Sequence, residues 1–164
     1  MHLLNALIEH LRRTVPALQG MPNRLSAQVD EGRLRFAAGA SLSHGYAVTA
    51  QLTLHAYDDT LDAVMLPLLA WLARYQPELG PEPGLRFSWL FAGEMPADLR
   101  LWVPLEERVV ATHDCDSGEI TLDHRQPAFA HETCPAEHWQ LLVRDESAGE
   151  EGYRLVAEWD GPLA

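Results

Sequence analysis

The sequence predicts an α+β fold: a mostly antiparallel sheet with one helix at the amino terminus and a second, central helix. Three observations predict it. Two segments carry apolar residues at three- and four-residue steps, residues 46–57 alternate with a period of two, and the second half breaks into alternating runs separated by turn residues. Helix, strands, helix, strands is the element order of an α+β domain. At 164 residues the chain reads as a single domain, residues 1–164, long enough to bury a core without disulfides or metals.

The first helix draws on residues 2–19. Leu3, Leu4, Leu7, Ile8, Leu11 and Val15 build one apolar face, and Glu9, Arg12 and Arg13 take the other. Gly20 and Pro22, beyond Pro16, set its expected end. Residues 20–32, with Pro22, Asn23, Asp30 and Gly32, read as a turn-rich connector, and Leu34 and Phe36 as a short strand after it. The strongest strand signal follows. Tyr46, Val48, Ala50, Leu52, Leu54 and Ala56 point one way, while Ala47, Thr49, Gln51, Thr53, His55 and Tyr57 point the other. Such a strand spans about 40 Å at roughly 3.3 Å per residue.

Asp58, Asp59 and Thr60 offer caps to the second helix, whose stripe runs Leu61, Val64, Met65, Leu68, Leu69 and Leu72 toward Tyr75. Pro67 inside it predicts a kink or a restart, and Pro77, Pro81, Pro83 and Gly84 predict its termination. Strands are then expected at Leu85–Phe91, at Leu99–Val103 with Val109 and Val110 beyond, and at Ile120–Leu122 after the Ser117-Gly118 turn. Pro104 marks the second of these as an edge strand or a bulged one. Trp139–Val143 and Tyr153–Trp159 read as the arms of a hairpin around the polar stretch from Asp145 to Gly152.

Acidic residues number 24 against 12 basic ones, all arginine, for a formal net charge of −12. That balance argues against general nucleic-acid binding, which needs clustered cations, and against electrostatic attachment to an anionic membrane. No apolar stretch approaches the roughly eighteen residues of a membrane span, and no basic segment makes the apolar start an export signal. Cys115 and Cys134 are the two cysteines. Without an export signal no disulfide framework is expected, and a cytosolic origin is the default.

Residues 113–138 hold possible metal ligands: His113, Asp114, Cys115, Asp116, His124, His131, Cys134 and His138. Structural zinc sites pair ligands two to four residues apart, twice over. Here Cys115 pairs only with His113, although His131, Cys134 and His138 have a plausible rhythm. Eight histidines produce such clusters by chance, so ordinary structural roles are expected and no metal or cofactor is assigned. No G-x-S-x-G elbow appears, Cys134 lies near two histidines only in sequence, and Gly32, Gly39 and Gly45 fit no phosphate-binding loop. Adjacent carboxylates at Asp58-Asp59, Glu106-Glu107 and Glu150-Glu151 read as caps or solvated rims. No catalytic site emerges, and the chain is not expected to be an enzyme. Trp71 and Tyr75, four apart, share a helix face beside Leu68 and Leu72. Core packing and protein–protein contact account for them equally well, since Trp and Tyr are enriched at interface centres.

The run from Pro67 to Leu79, PLLAWLARYQPEL, resembles the central helix motif of the phage tail completion protein R family, from Peduovirus-type temperate phages with contractile tails. Ser41-Leu42-Ser43 through Tyr46, with the alternating strand to Tyr57, is similar to that family's serine-leucine-serine strand. Leu99 to Val110, ending LEERVV, is similar to its glutamate-arginine-valine strand. Ile120 to Pro127, Trp139 to Val143 and Ala157 to Trp159 continue the likeness, which spans roughly Ser41 to Trp159. His44-Gly45 replaces a more acidic and aromatic stretch, and Glu106 stands where threonine is usual.

The resemblance implies a structural phage or prophage protein with a tail-terminator-like fold. Such a protein caps the assembled tail tube, stops its growth and offers a joining surface to the head. The implied state is a homo-oligomer, a ring of six copies, with tail tube and sheath proteins and a head-completion protein as partners. No cofactor, membrane or specific nucleic acid is implied, and the implied location is the virion tail, assembled in the host cytoplasm. Expected contact residues are Trp71, Tyr75, Gln76 and Pro77 from the helix motif and Glu106, Glu107 and Arg108 from the strand motif. A head-to-tail ring needs heterologous surfaces that close under rotation, which long strand edges and exposed aromatics can supply. Acidic residues lining such a ring would repel phosphate and let DNA slide. Two other classes make different expectations. An acidic nucleic-acid mimic or inhibitor would array carboxylates along one face, and a small metal-dependent enzyme would gather His113, Cys115, His131, Cys134 and His138.

Overall fold

Leu3, Leu7 and Leu11 recur one turn apart in α1 (His2–Thr14) and are buried together with Val15 and Leu18. In the computed structural model, which describes residues 1–39, 41–80, 84–89, 97–125, 138–144 and 152–160, this helix ends earlier than the sequence predicted. Pro16 drives the residue before it out of the helical region, and Val15 adopts φ −86° and ψ 116°. The apolar stripe is carried on by a 3-10 turn at Pro16–Leu18.

β1 (Leu25–Phe36) occupies most of the segment that read as a connector. It lacks hydrophobic alternation because only Leu25 in it is buried. β2 (His44–Tyr57) pairs with it along its length, from Leu25↔Leu54 to Phe36↔His44, with a register shift between Val29 and Glu31. β4 (Ala97–His113) pairs with the other side of β2, and its far side carries β3 (Arg86–Trp89) near one end and β5 (Ile120–Arg125) at the other. All these pairings are antiparallel. β6 (His138–Arg144) and β7 (Tyr153–Asp160) form a separate antiparallel pair, the two expected hairpin arms, with α1 and its following turn beside β7. Phe91, Pro81, Pro83 and most of the stretch between the hairpin arms lie outside the described residues.

Alternation in β2 holds from Val48 to Leu54 and then breaks. A bulge between Leu54 and Tyr57 leaves Ala56 exposed at φ 50° and turns Tyr57 into the core at 2 % exposure. The sequence predicted the reverse for both residues, because one inserted residue exchanges the two faces of a strand. Asp98 pins the bulge: its Oδ1 accepts the Ala56 N–H at 3.1 Å. The Tyr57 hydroxyl, inside, donates to the Thr60 carbonyl at 2.6 Å.

α2 (Asp62–Tyr75) runs through Pro67 as one helix, without the predicted restart. The proline is buried, and its carbonyl accepts the His10 Nε2–H of α1 at 3.1 Å. Burial between the helices pushes the His10 pKa below 6.5; the Pro67 bond opposes that shift, and nearby Arg13 adds to it. Val64, Leu68, Trp71 and Leu72 form the buried face, which leaves the predicted stripe member Leu69 exposed. The expected side-chain cap is absent as well. Asp59 Oδ1 accepts the Thr60 N–H at 2.6 Å, ahead of the helix.

Pro104 lies inside β4, a central strand and not an edge. Among the described residues β3 pairs no further than Trp102 and β5 pairs only from Arg108 onward, so no described strand pairs with the outer side of residues 103–107. Glu106 points its N–H away from β2, toward that outer side. Pro104 shares its parity, so the missing proline donor falls where no described strand receives it.

The helices are about 20 Å long at 1.5 Å per residue, while β4 extends about 55 Å at 3.3 Å per residue. They cover the sheet from Leu99 to Val109. Past that limit Ile120 and Leu122, on the same face, are 52 and 58 % exposed, and at the β1 edge Leu34 and Phe36, level with Glu107 and Val109, are 56 and 69 % exposed.

Candidate functional site

The helix motif and the strand motif meet in space. Gln76 caps the carboxyl end of α2, and its side chain reaches the outer side of β4. There Nε2 donates to the Glu106 carbonyl at 2.9 Å and Oε1 accepts the Glu106 N–H at 2.8 Å. The amide thus pairs with the backbone as a strand would. Gln76→Ala is expected to lower the unfolding free energy by about 2–3 kcal/mol, two hydrogen bonds plus an unpartnered Glu106 N–H. Urea denaturation measures this, and a cost under about 0.5 kcal/mol would show that water replaces the bridge.

Glu107 is buried at 3 % exposure, among the core-facing positions of β4. Its carboxylate accepts the backbone N–H groups of His2 at 3.3 Å and Leu3 at 3.2 Å, at the first turn of α1. There it meets the positive end of the helix dipole. The His124 Nδ1–H of β5 donates to the same carboxylate, and the His124 ring lies 4.1 Å from that of His2. Desolvation pushes the Glu107 pKa up, but the Leu3 bond, His124 and the His2 bond together outweigh it and hold the group below 4.5. One carboxylate therefore ties α1, β4 and β5 together.

Of the expected contact residues, Trp71, Gln76 and Glu107 face inward, which corrects their placement on a surface. Trp71 follows Val64 and Leu68 around the helix, Gln76 is held by β4, and Glu107 keeps the parity of Leu105 and Val109. Pro77, Glu106 and Arg108 are exposed and Tyr75 is half-buried. Glu106 is gripped by Arg35, with contacts of 2.9 and 3.1 Å. That arginine reaches across β2 at Gly45 and Ala47, where no bulky side chain intervenes.

The open face of the sheet carries Arg33, Arg35, Arg86, Arg100, Arg108 and Arg125 against Glu31, Asp98, Glu106 and Asp123. Arginine is in excess there although the chain is strongly acidic. A nucleic-acid mimic needs the opposite arrangement. Ser26, His55 and Asp98 also meet on this face: Ser26 Oγ is 2.8 Å from His55 Nε2, and His55 Nδ1 is 3.3 Å from Asp98. Strand register alone unites them, so sequence spacing gave no signal. The side chains of His55 and Asp98 are 45 and 41 % exposed. Here the network fixes the bulge at Ala56.

His131 and Cys134 lie outside the described residues. Among the described residues no group of three or more His, Cys, Asp or Glu side chains is arranged to hold a metal ion. His113, Cys115 and Asp116 are exposed, and Asp114 accepts the Asp116 N–H at 2.9 Å to shape the turn. His124 is held by Glu107, and His138 by Asp160 at 2.8 Å.

A family model described as P2 phage tail completion protein R (GpR) matches residues 1–128, which takes in α1 through β5. Tail completion protein R of Escherichia phage P2 is 24 % identical over 161 residues, covering 95 % of this chain and 97 % of that protein. No solved structure matches the chain.

Proposed function

The chain belongs to the P2 phage tail completion protein R family, and on that premise we propose that it closes the assembled tail tube, ends its growth and presents the surface to which the head joins. As a tail completion protein it is a structural component of the phage tail. The proposed working form is a six-membered ring assembled in the host cytoplasm, with residues 1–164 acting as one domain. Tube and sheath proteins would meet one side of it, and a head-completion protein the other.

The near end-to-end likeness to a tail completion protein carries this reading. A sheet that outruns its helices supports it, because bare apolar strand ends suit contacts between subunits. Tyr75, Pro77, Glu106 and Arg108 offer the outward part of the contact, with Trp71, Gln76 and Glu107 holding them from behind. The arginine-bearing sheet face would retain phosphate, so it fits best against protein, leaving acidic surface toward the DNA path.

A phage deleted for this gene is expected to make tails of uncontrolled length that fail to join heads, with infectivity lost. Electron microscopy of the lysate measures both. Release of infectious particles with normal tails from the deletion would overturn the reading. Purified protein is expected to form closed rings, alone at micromolar concentration or on isolated tubes.

A further inference from the structure

We infer that successive copies join edge to edge, β1 of one chain pairing with β5 of the next, so that one antiparallel sheet continues around the ring. This rests on the ring proposed above and names the surfaces that close it. Among the described residues no strand pairs with the outer side of β1 or of β5, so both present free backbone donors and acceptors. Each pairing in the order β1, β2, β4, β5 is antiparallel, so β1 and β5 run in opposite directions. A neighbour generated by rotation about an axis inclined to the strands brings its β1 antiparallel to the first copy's β5, and the incline supplies an offset along the strands. Two-fold contact of β1 with β1 would leave β5 bare and build no ring.

The side chains agree with the backbone. Leu34 and Phe36 of β1 lie on the same face of the sheet as Ile120 and Leu122 of β5, and all four are more than half exposed. Leu34 and Phe36 stand level with Glu107 and Val109, and Leu122 and Ile120 with Ala111 and His113, so an offset of about four residues, roughly 13 Å at 3.3 Å per residue, sets Leu34 beside Leu122 and Phe36 beside Ile120. The part of β1 beyond its register shift, Glu31–Phe36, matches β5, Ile120–Arg125, in length. Charge favours the same contact. In a chain of net charge −12 most surfaces of two copies repel. β1 balances Asp30 and Glu31 with Arg33 and Arg35, and β5 balances Asp123 with Arg125. The occupant of each edge is therefore a second copy of this chain.

Two double variants test the inference in the full-length protein: Leu34→Asp with Phe36→Asp, and Ile120→Asp with Leu122→Asp. Circular dichroism and melting first establish that each keeps its fold, as expected for exposed positions. Sedimentation velocity and native mass spectrometry then read assembly, with and without tail tubes. Wild-type protein is expected to form rings, and each variant alone is expected to need at least tenfold higher concentration to assemble. An equimolar mixture of the variants retains one intact contact per pair and is expected to stop at one-to-one dimers. Rings formed by both variants as readily as by wild type would overturn the edge contact while leaving the ring reading standing. Dimers lost only in the β1 variant would establish two-fold pairing instead. Wild-type protein that stays single under all conditions, tubes included, would remove both the ring and its edges.

Discussion

Trp71→Ala is expected to reduce the unfolding free energy by about 3–5 kcal/mol, the cost of emptying a large aromatic site in a packed core. Trp71 is 2 % exposed and stacks on Tyr75 with ring centroids 4.7 Å apart and planes inclined by 26°. Truncation removes both the buried area and the stacking partner of Tyr75, whose ring adds about 0.5–1.5 kcal/mol beyond area alone. Trp71→Phe keeps an aromatic ring in the site and is expected to lose less than half as much. Urea denaturation followed by far-ultraviolet circular dichroism measures both variants. A loss below about 1 kcal/mol, with assembly abolished, would return Trp71 to the contact surface and contradict its place in the core.

The second large effect belongs to Glu107. Glu107→Ala is expected to cost about 3 kcal/mol, since it strips a buried charged acceptor from two helix N–H groups and from His124 at once. The same carboxylate makes stability depend on pH. Its folded pKa lies below its ordinary value of 4.5, so its contribution is complete above 4.5 and is lost as pH falls through the folded value. His10 acts in the same direction at higher pH. It is held neutral by burial, with its folded pKa below 6.5, so its contribution is complete above 6.5 and declines as the solution acidifies. The melting temperature is therefore expected to fall in two stages on acidification. In Glu107→Gln the lower stage is expected to flatten while the upper one persists. An unchanged acid limb in that variant would assign the lower stage to other carboxylates.

Much of the fold was legible because burial alternates wherever one face of an element meets the core. Val48 to Leu54, the leucines of α1 and the arm β6 all follow that rule. β1 escaped because an edge strand buries almost nothing, and its Ser26 and Gln28 pair with β2 without filling a core. Tyr57 and Ala56 exchanged faces because a bulge is set by a distant carboxylate, Asp98, that local pattern does not contain. The burial of the expected contact residues was half legible. Spacing placed Trp71 beside Leu68 and Leu72, which is where a core residue sits, and Glu107 shares the parity of Leu105 and Val109, which marks it as inward. Its partners at His2, Leu3 and His124 depend on tertiary pairing and left no trace in sequence spacing. Gln76 as a backbone substitute needed the spacing between the β3 and β5 pairings on β4 to be seen first.

The bond from Glu107 to Leu3 joins positions 104 residues apart, which sets a timetable for biogenesis. α1 leaves the ribosome long before β4 exists, so its leucines must wait, unshielded, through most of translation. Closing so wide a loop delays the native state, and during that interval the nascent helix is a natural client for a chaperone. A fusion partner placed ahead of His2 would crowd the latch that completes maturation.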